Sequence, residues 1–280
     1  MSKYGDAVAQ RYHLPRGAVR RAVRPVLENY PEAIRALTSN PEDKQKPLGT
    51  LLLSSRMPWH GRRSSRPITF LTYLANTLTV TLLGVIGTVL SSSLVAYGLA
   101  RIPWKGRRTL FAITLATMMV PFPVIMVPMF SVFREMGWIG TLLPLWVPAF
   151  FGSAFNIFLL RQFFLTMPEE LSEAARIDGA SELRIWWSIA LPLARPALAV
   201  VALFHFLHAW NDFLGPLIYL TRPETFTLAL GLQQYQSQSG GSEWHLLMAA
   251  SVLMVVPIIV LFFFTQKTFI RGIATTGMKG

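Results

Sequence analysis

Five stretches of this 280-residue chain are long and apolar enough to cross a lipid bilayer, which takes about 20 residues of helix. They run from Thr77 to Leu99, Leu110 to Phe133, Trp138 to Leu160, Ala197 to Leu220 and Leu246 to Thr265. Four of them hold no Asp, Glu, Lys, Arg or His, and the remaining one holds only His205, His208 and Asp212. Backbone groups in hydrocarbon must find their partners inside the protein, and no stretch alternates with period two, so helices are expected rather than a barrel. The fold class read from the sequence is an all-α integral membrane protein with five evident spanning helices. Pro121, Pro123 and Pro128 predict a kink or break in the second span.

Lys and Arg set the orientation. Arg101, Lys105, Arg107 and Arg108 follow the first span, Arg161, Arg176, Arg184 and Arg195 follow the third, and Lys267, Arg271 and Lys279 follow the fifth. The opposite side holds only Arg134 and Arg222. The basic side is cytoplasmic. The segment between spans three and four is thereby placed in the cytoplasm, and Thr221 to Glu243, rich in Gln, Ser and Gly, outside.

Residues 1–66 form a polar, basic segment with no apolar run longer than a handful, such as Leu51 to Leu53. Strict alternation starts this segment outside, against its charge, and the charges through Met1 to Arg24 do not fit a signal peptide. The expectation is that a spanning helix is absent from this N-terminus and that residues 67–280 form the membrane core. Sequencing the mature N-terminus from native membranes tests it.

Composition narrows the chemistry. With 52% hydrophobic and 14% charged residues the chain is too apolar for an ordinary soluble domain. It has no cysteine, which removes disulfides, thiolate metal sites and thiol nucleophiles. The net charge of +12 belongs to segments that flank apolar spans, where anionic lipid selects it, and no run matches a nucleic-acid module. A membrane-embedded enzyme needs convergent ionisable groups, and the spans offer only His205, His208 and Asp212 on one helix. A self-sufficient secondary transporter carries internal repeats and more buried charge, and neither is visible. No Gly-Lys-Ser/Thr phosphate loop occurs.

The cytoplasmic stretch "TMPEELSEAARIDGASELRIWWSIALPLARP", Thr166 to Pro196, reads as two helices around a tight turn. Thr166 with Glu169 predicts a capping box, Pro168 suits the first turn, and Glu169, Glu170 and Glu173 sit where the helix dipole favours acids. Gly179 predicts a left-handed stop, and Ser181 a new helix start. Spacing alone leaves open an inert loop with Glu173 in water. "EAARIDGA" followed by "IALPLARP" resembles the EAA loop of binding-protein-dependent ABC importer permeases, with Glu173, Ala174, Ala175 and Gly179 in the motif positions and Leu191 and Pro192 closing it. Leu74 to Arg101, Trp210 to Leu220 and Leu246 to Gly280 are similar to the carbohydrate-importer branch, most of all to the second permease of maltose-type systems. Leu27 to Ile34, "LENYPEAI", resembles the external segment after that family's first helix.

The resemblance implies a six-span pattern, of which this chain shows five. It also implies a bacterial or archaeal cytoplasmic membrane. A second permease subunit, two ATP-binding subunits and an extracytoplasmic solute-binding protein are the partners it implies, with lipid around them. No cofactor is expected in this chain, ATP and Mg belonging to the ATPase. Glu173, Ala174, Ala175, Asp178, Gly179 and Ala180 would couple to the ATPase: small alanines allow close approach, Glu173 offers a charge-assisted bond and Gly179 lets the backbone turn. The solute expected is a sugar, especially an oligosaccharide, with glycerol phosphate or polyols as the alternative.

Asn156, Trp210, Asn211 and Asp212 are the polar candidates for the translocation path or for a structural site, since an acid at membrane depth is costly. His205 and His208 read as packing and hydrogen bonding rather than metal ligands, and Met118, Met119, Met126 and Met129 as packing. Trp186 and Trp187 are expected to anchor the coupling turn at the interface.

Overall fold

The computed structural model describes Tyr30, residues 70–238 and residues 244–276. Apart from Tyr30, the N-terminal segment lies outside the described residues, as does the question of its missing helix. Among the described residues the regular elements are all helices, in the order α1 (Phe70–Ala100), α2 (Arg107–Thr117), α3 (Phe122–Glu135), α4 (Leu143–Trp146), α5 (Ala154–Leu165), α6 (Glu170–Ile177), α7 (Glu182–Leu193), α8 (Arg195–Asn211), α9 (Leu214–Tyr219), α10 (Leu228–Gln238) and α11 (Trp244–Thr276). A 3-10 segment, Val147–Phe151, continues α4, and α7 widens into a π-helix at Trp186–Ala190.

α1 is the axle, packing against α4, α5, α8 and α10. Its 31 residues span about 46 Å at the α-helical rise, enough to cross a bilayer and project from it. Leu78, Leu82, Ile86, Leu90 and Leu94, four residues apart, form one exposed ridge, the face that lipid accepts. On the other side Thr77, Thr81, Gly84, Thr88 and Ser92 are buried. Small residues there let neighbours approach: a Cβ on Gly84 would lie 2.6 Å from His205 Nε2, and one on Gly87 2.4 Å from Cδ2 of Phe150.

Three of the expected spans are interrupted. The second is two helices meeting at 98°. Successive amides of Met118, Met119 and Val120 bond three residues back, Pro121 is extended, and Pro123 sits in the first turn of α3, where its missing N–H costs nothing. The third breaks at Gly152, which is left-handed (φ 86°). α1 covers the polar groups freed there: Ser91 Oγ donates to the Ala149 carbonyl at 3.0 Å, and Ser92 Oγ accepts the Ser153 amide at 3.2 Å. A lipid-facing break could not be satisfied this way. The fourth helix stops at Asn211 and restarts as α9, where Asp212 Oδ1 accepts the Gly215 amide at 3.1 Å. Among the described residues, Phe70–Ala100 and the run Leu143–Leu165, taken through its irregularity at Gly152, are long and apolar enough to cross a membrane; four units are if each bent pair counts as one, and Leu247–Phe263 is a shorter apolar helix within α11.

Two core clusters mark the two ends of α1. One gathers Ala96, Tyr97, Leu160, Phe164, Ile185, Trp186 and Val201. The other gathers Phe70, Tyr73, Trp210, Leu228, Ala249 and Ala250, with Tyr30 packed against it. At this second end Asn76 Nδ2 donates to the carbonyls of Glu224 (2.8 Å) and Phe226 (3.0 Å), and Thr77 Oγ1 accepts the Leu228 amide at 2.9 Å. The Gly140 amide donates to the Tyr219 carbonyl at 2.8 Å, joining the loops after α3 and α9. The segments that Lys and Arg counting assigns to one side are therefore the ones that touch.

Among the described residues Met118 and Met119 are left exposed, at 48% and 85%. Trp186 and Trp187 also differ from expectation as a pair, since the helix carries neighbouring residues to different faces: Trp186 is buried and Trp187 exposed.

Candidate functional site

The turn between α6 and α7 is built from its backbone upward. α6 begins at Glu170 with Glu169 as its cap residue, and no side chain caps it. The expected capping box is not formed, because Thr166 ends α5 and its hydroxyl donates to the Phe163 carbonyl at 2.8 Å. Glu170 and Glu173 still occupy the first turn. The stop is as expected: Gly179 is left-handed (φ 79°), its amide donates to the Arg176 carbonyl (3.0 Å), and the Ala180 amide donates to the Ala175 carbonyl (2.9 Å). That pair of bonds is a Schellman motif. Ser181 then caps α7, its Oγ accepting the Arg184 amide at 3.4 Å.

α6 has two faces. Ser172 is buried, and Ala175 and Ala180 pack against the cytoplasmic core cluster. Glu173, Ala174, Asp178 and Gly179 are exposed. Among them stands Ile177, 86% exposed, with Leu171 and Leu183 also uncovered. The outer face is therefore small, apolar and acidic together.

The turn is braced from below. Arg176 Nε donates to Glu182 Oε1 at 2.7 Å, and the Tyr97 hydroxyl donates to Glu182 Oε2 at 2.8 Å. Arg101, one turn beyond Tyr97, donates from Nη2 to the carbonyls of Met167 (2.7 Å) and Pro168 (2.9 Å). The hydrogen bond from Arg176 holds the Glu182 carboxyl below its usual range, and the same bond raises Arg176. Because the folded value of Glu182 is the lowered one, the pair's contribution is complete above the ordinary carboxylate range and is lost as pH falls through the folded value. The difference in thermal stability between the wild type and Glu182→Gln is expected to be constant from pH 8 down to the ordinary carboxylate range and to shrink as pH falls below that range. A difference that changes between pH 8 and pH 6 would assign it to another group.

The chain's other polar candidates are dispersed. Trp210 is buried, its Nε1 donating to the Met254 carbonyl at 3.1 Å. Asn211 is exposed and donates to the Leu207 carbonyl at 2.8 Å. Asn156 is buried, and its Oδ1 has no hydrogen-bond partner among the described residues. His205 Nδ1 lies 3.2 Å from Thr88 Oγ1, and its ring centroid is 6.3 Å from that of exposed His208. Among the described residues no three His, Cys, Asp or Glu side chains gather in a way that would hold a metal.

Residues 88–275, well over half of the chain, match the family described as the binding-protein-dependent transport system inner membrane component. The chain belongs to that family. Among relatives of this inner membrane component is the arabinooligosaccharides transport system permease protein AraQ of Halalkalibacterium halodurans, 37% identical over 209 residues, which are 75% of this chain and 74% of AraQ. The sn-glycerol-3-phosphate transport system permease protein UgpE of Yersinia pestis is 32% identical over 216 residues, 77% of this chain and 76% of UgpE. The fold is similar to that in the crystal structure of a bacterial ABC transporter involved in the import of the acidic polysaccharide alginate: TM-score 0.65 and 25% identity over 90% of this chain and 94% of that one. It also resembles a chain of the MetNI methionine ABC transporter, with TM-score 0.53 and 22% identity over 72% of this chain and 93% of that one. This protein is thus a membrane permease subunit of the ABC-importer kind.

In this permease, sequence reasoning missed Ile177, Tyr97, Arg101 and Glu182. A signal existed for Ile177, an apolar residue four positions after Glu173 on an otherwise polar face. None existed for the others, whose meeting depends on the fold bringing α1 under residues 167–182.

Proposed function

We propose that this permease imports a carbohydrate, most simply an oligosaccharide, across the cytoplasmic membrane of a bacterium. It pairs with a second permease, two ATP-binding subunits and an external solute-binding protein, and ATP and Mg are bound by the ATPase. Glu173, Ala174, Asp178 and Gly179 form the face that docks into the ATPase, while Ala175 and Ala180 seat the helix on the membrane core. The observation that carries this reading is the outer face of α6, where Ile177 is 86% exposed beside an exposed carboxylate. An apolar side chain that its own chain leaves uncovered, next to small residues and an acid, fits a hydrophobic cleft with a basic rim. AraQ supports a sugar; UgpE supports glycerol phosphate as the second reading. Asn211, exposed beside the break at Asp212, is the polar residue placed to meet the path or the external receptor.

The test is to purify a tagged copy from native membranes in mild detergent and identify what accompanies it by mass spectrometry. A second permease and an ATPase are expected, the ATPase lost or weakened when Glu173 is replaced. Uptake of labelled arabino-oligosaccharide and of glycerol phosphate in a deletion strain then separates the two solutes. Recovery of the chain alone, still moving solute, overturns the coupling reading.

A further inference from the structure

A coupling helix joined to the membrane part only through the chain would act on α5 before it and, through α7, on α8 after it. The contacts described above add a third connection. The last turn of α1 grips both sides of α6. Arg101, just past the end of α1, holds the turn leading into α6 through the Met167 and Pro168 carbonyls, and Tyr97, four residues earlier, holds the segment leaving it through Glu182. Glu182 is in turn tied to Arg176 on α6 itself. Two charge-assisted ties on two sides resist both rotation and sliding of α6 against α1.

We infer that Tyr97, Arg101 and Glu182 are positioning residues that deliver displacement of the coupling helix directly to α1, and through it to the helices packed around it. This rests on α6 being the coupling helix. α1 suits the task because α4, α5, α8 and α10 all pack against it and Asn76 and Thr77 tie its far end to residues 224–228. A rigid helix held at both ends transmits a push over its whole length. The output is a movement of the outer half of α1 and of the external segment clamped to it. Tyr97 is well placed for transmission rather than mere stability. Its ring is buried and meets Phe164 of α5 edge-on at 6.0 Å, so the hydroxyl stands on a fixed support.

The chain's lack of cysteine allows a direct test. Leu82→Cys places a single label on the exposed ridge of α1, 52% exposed in the native residue and away from the ties. The labelled chain, purified with its partner subunits and set in nanodiscs, is followed by fluorescence on adding ATP and vanadate. Tyr97→Phe and Glu182→Ala are expected to keep ATP hydrolysis while shrinking the label's response by about fivefold or more, the lower end of typical coupling between sites. The double variant should be no worse than Glu182→Ala alone, because that change already removes the Tyr97 bond along with the one from Arg176. A full response in Tyr97→Phe, or additive losses in the double variant, overturns the inference. So does a fall of hydrolysis and response together, which marks a structural role alone. If the wild-type complex carries no ATPase, or its label ignores ATP, the coupling reading itself fails.

Discussion

Replacing Gly179 with proline is expected to abolish ATP-driven uptake while leaving the chain inserted in the membrane. Gly179 sits at φ 79°, and proline is locked near −65°. The replacement also deletes the amide that donates to the Arg176 carbonyl and displaces the Ala180 amide from the Ala175 carbonyl. Both bonds of the Schellman motif go at once, so α6 loses its defined end and its angle to α7. A built Cβ on Gly179 meets nothing within 4 Å, which makes the penalty one of backbone and not of crowding. Gly179→Ala is accordingly milder, at about 1–2 kcal/mol for a left-handed L-residue. Glu173→Ala makes a cleaner comparison, because it keeps the helix and removes only an exposed carboxylate. Uptake should fall about 30-fold or more, the effect of truncating one member of a desolvated charge pair at roughly 2 kcal/mol or more. Labelled oligosaccharide uptake, normalised to membrane content by immunoblot, reads all three. Undiminished uptake in Gly179→Pro and Glu173→Ala would remove the coupling role from this turn.

Asn76→Ala is expected to give the largest loss of stability among single polar changes in α1. The residue is 3% exposed, and its one amide group serves two carbonyls, at Glu224 and Phe226. Alanine leaves both half-buried carbonyls without their donor, at a cost of about 2–3 kcal/mol, and adds a small void. The melting temperature in detergent should drop by about 5–10 °C. Asp is no rescue, since a carboxylate cannot donate to a carbonyl. Leu78→Ala, two positions on but on the exposed ridge, should stay within about 0.5 kcal/mol. A melting temperature for Asn76→Ala within a degree of the wild type would show that the external segment is held by other contacts.

The clamp at Asn76 illustrates where sequence reasoning stops. Asn76 lies in an apolar run, and nothing near it in the chain announces that its partners are about 150 residues away. The second span shows the opposite case: three prolines close together announce a break, and the break is there. Gly152 falls between, because one glycine in an apolar run is compatible with a continuous helix until Ser91 and Ser92 are seen to cover the gap. The capping box failed for a local reason, since Thr166 had a nearer carbonyl to bind.

From the sequence alone came the all-α membrane class, the position of the turn at Gly179 and its left-handed stop. These rest on properties that neighbouring residues express by themselves: apolar length and the backbone freedom of glycine. Only the tertiary structure decided that α1 is the central helix, that Ala175 and Ala180 face inward while Ile177 faces out, and that Tyr97, Arg101 and Glu182 meet beneath the turn. Those facts depend on which helix faces pack together, and that choice is made by shape and by hydrogen-bond partners far apart in the chain.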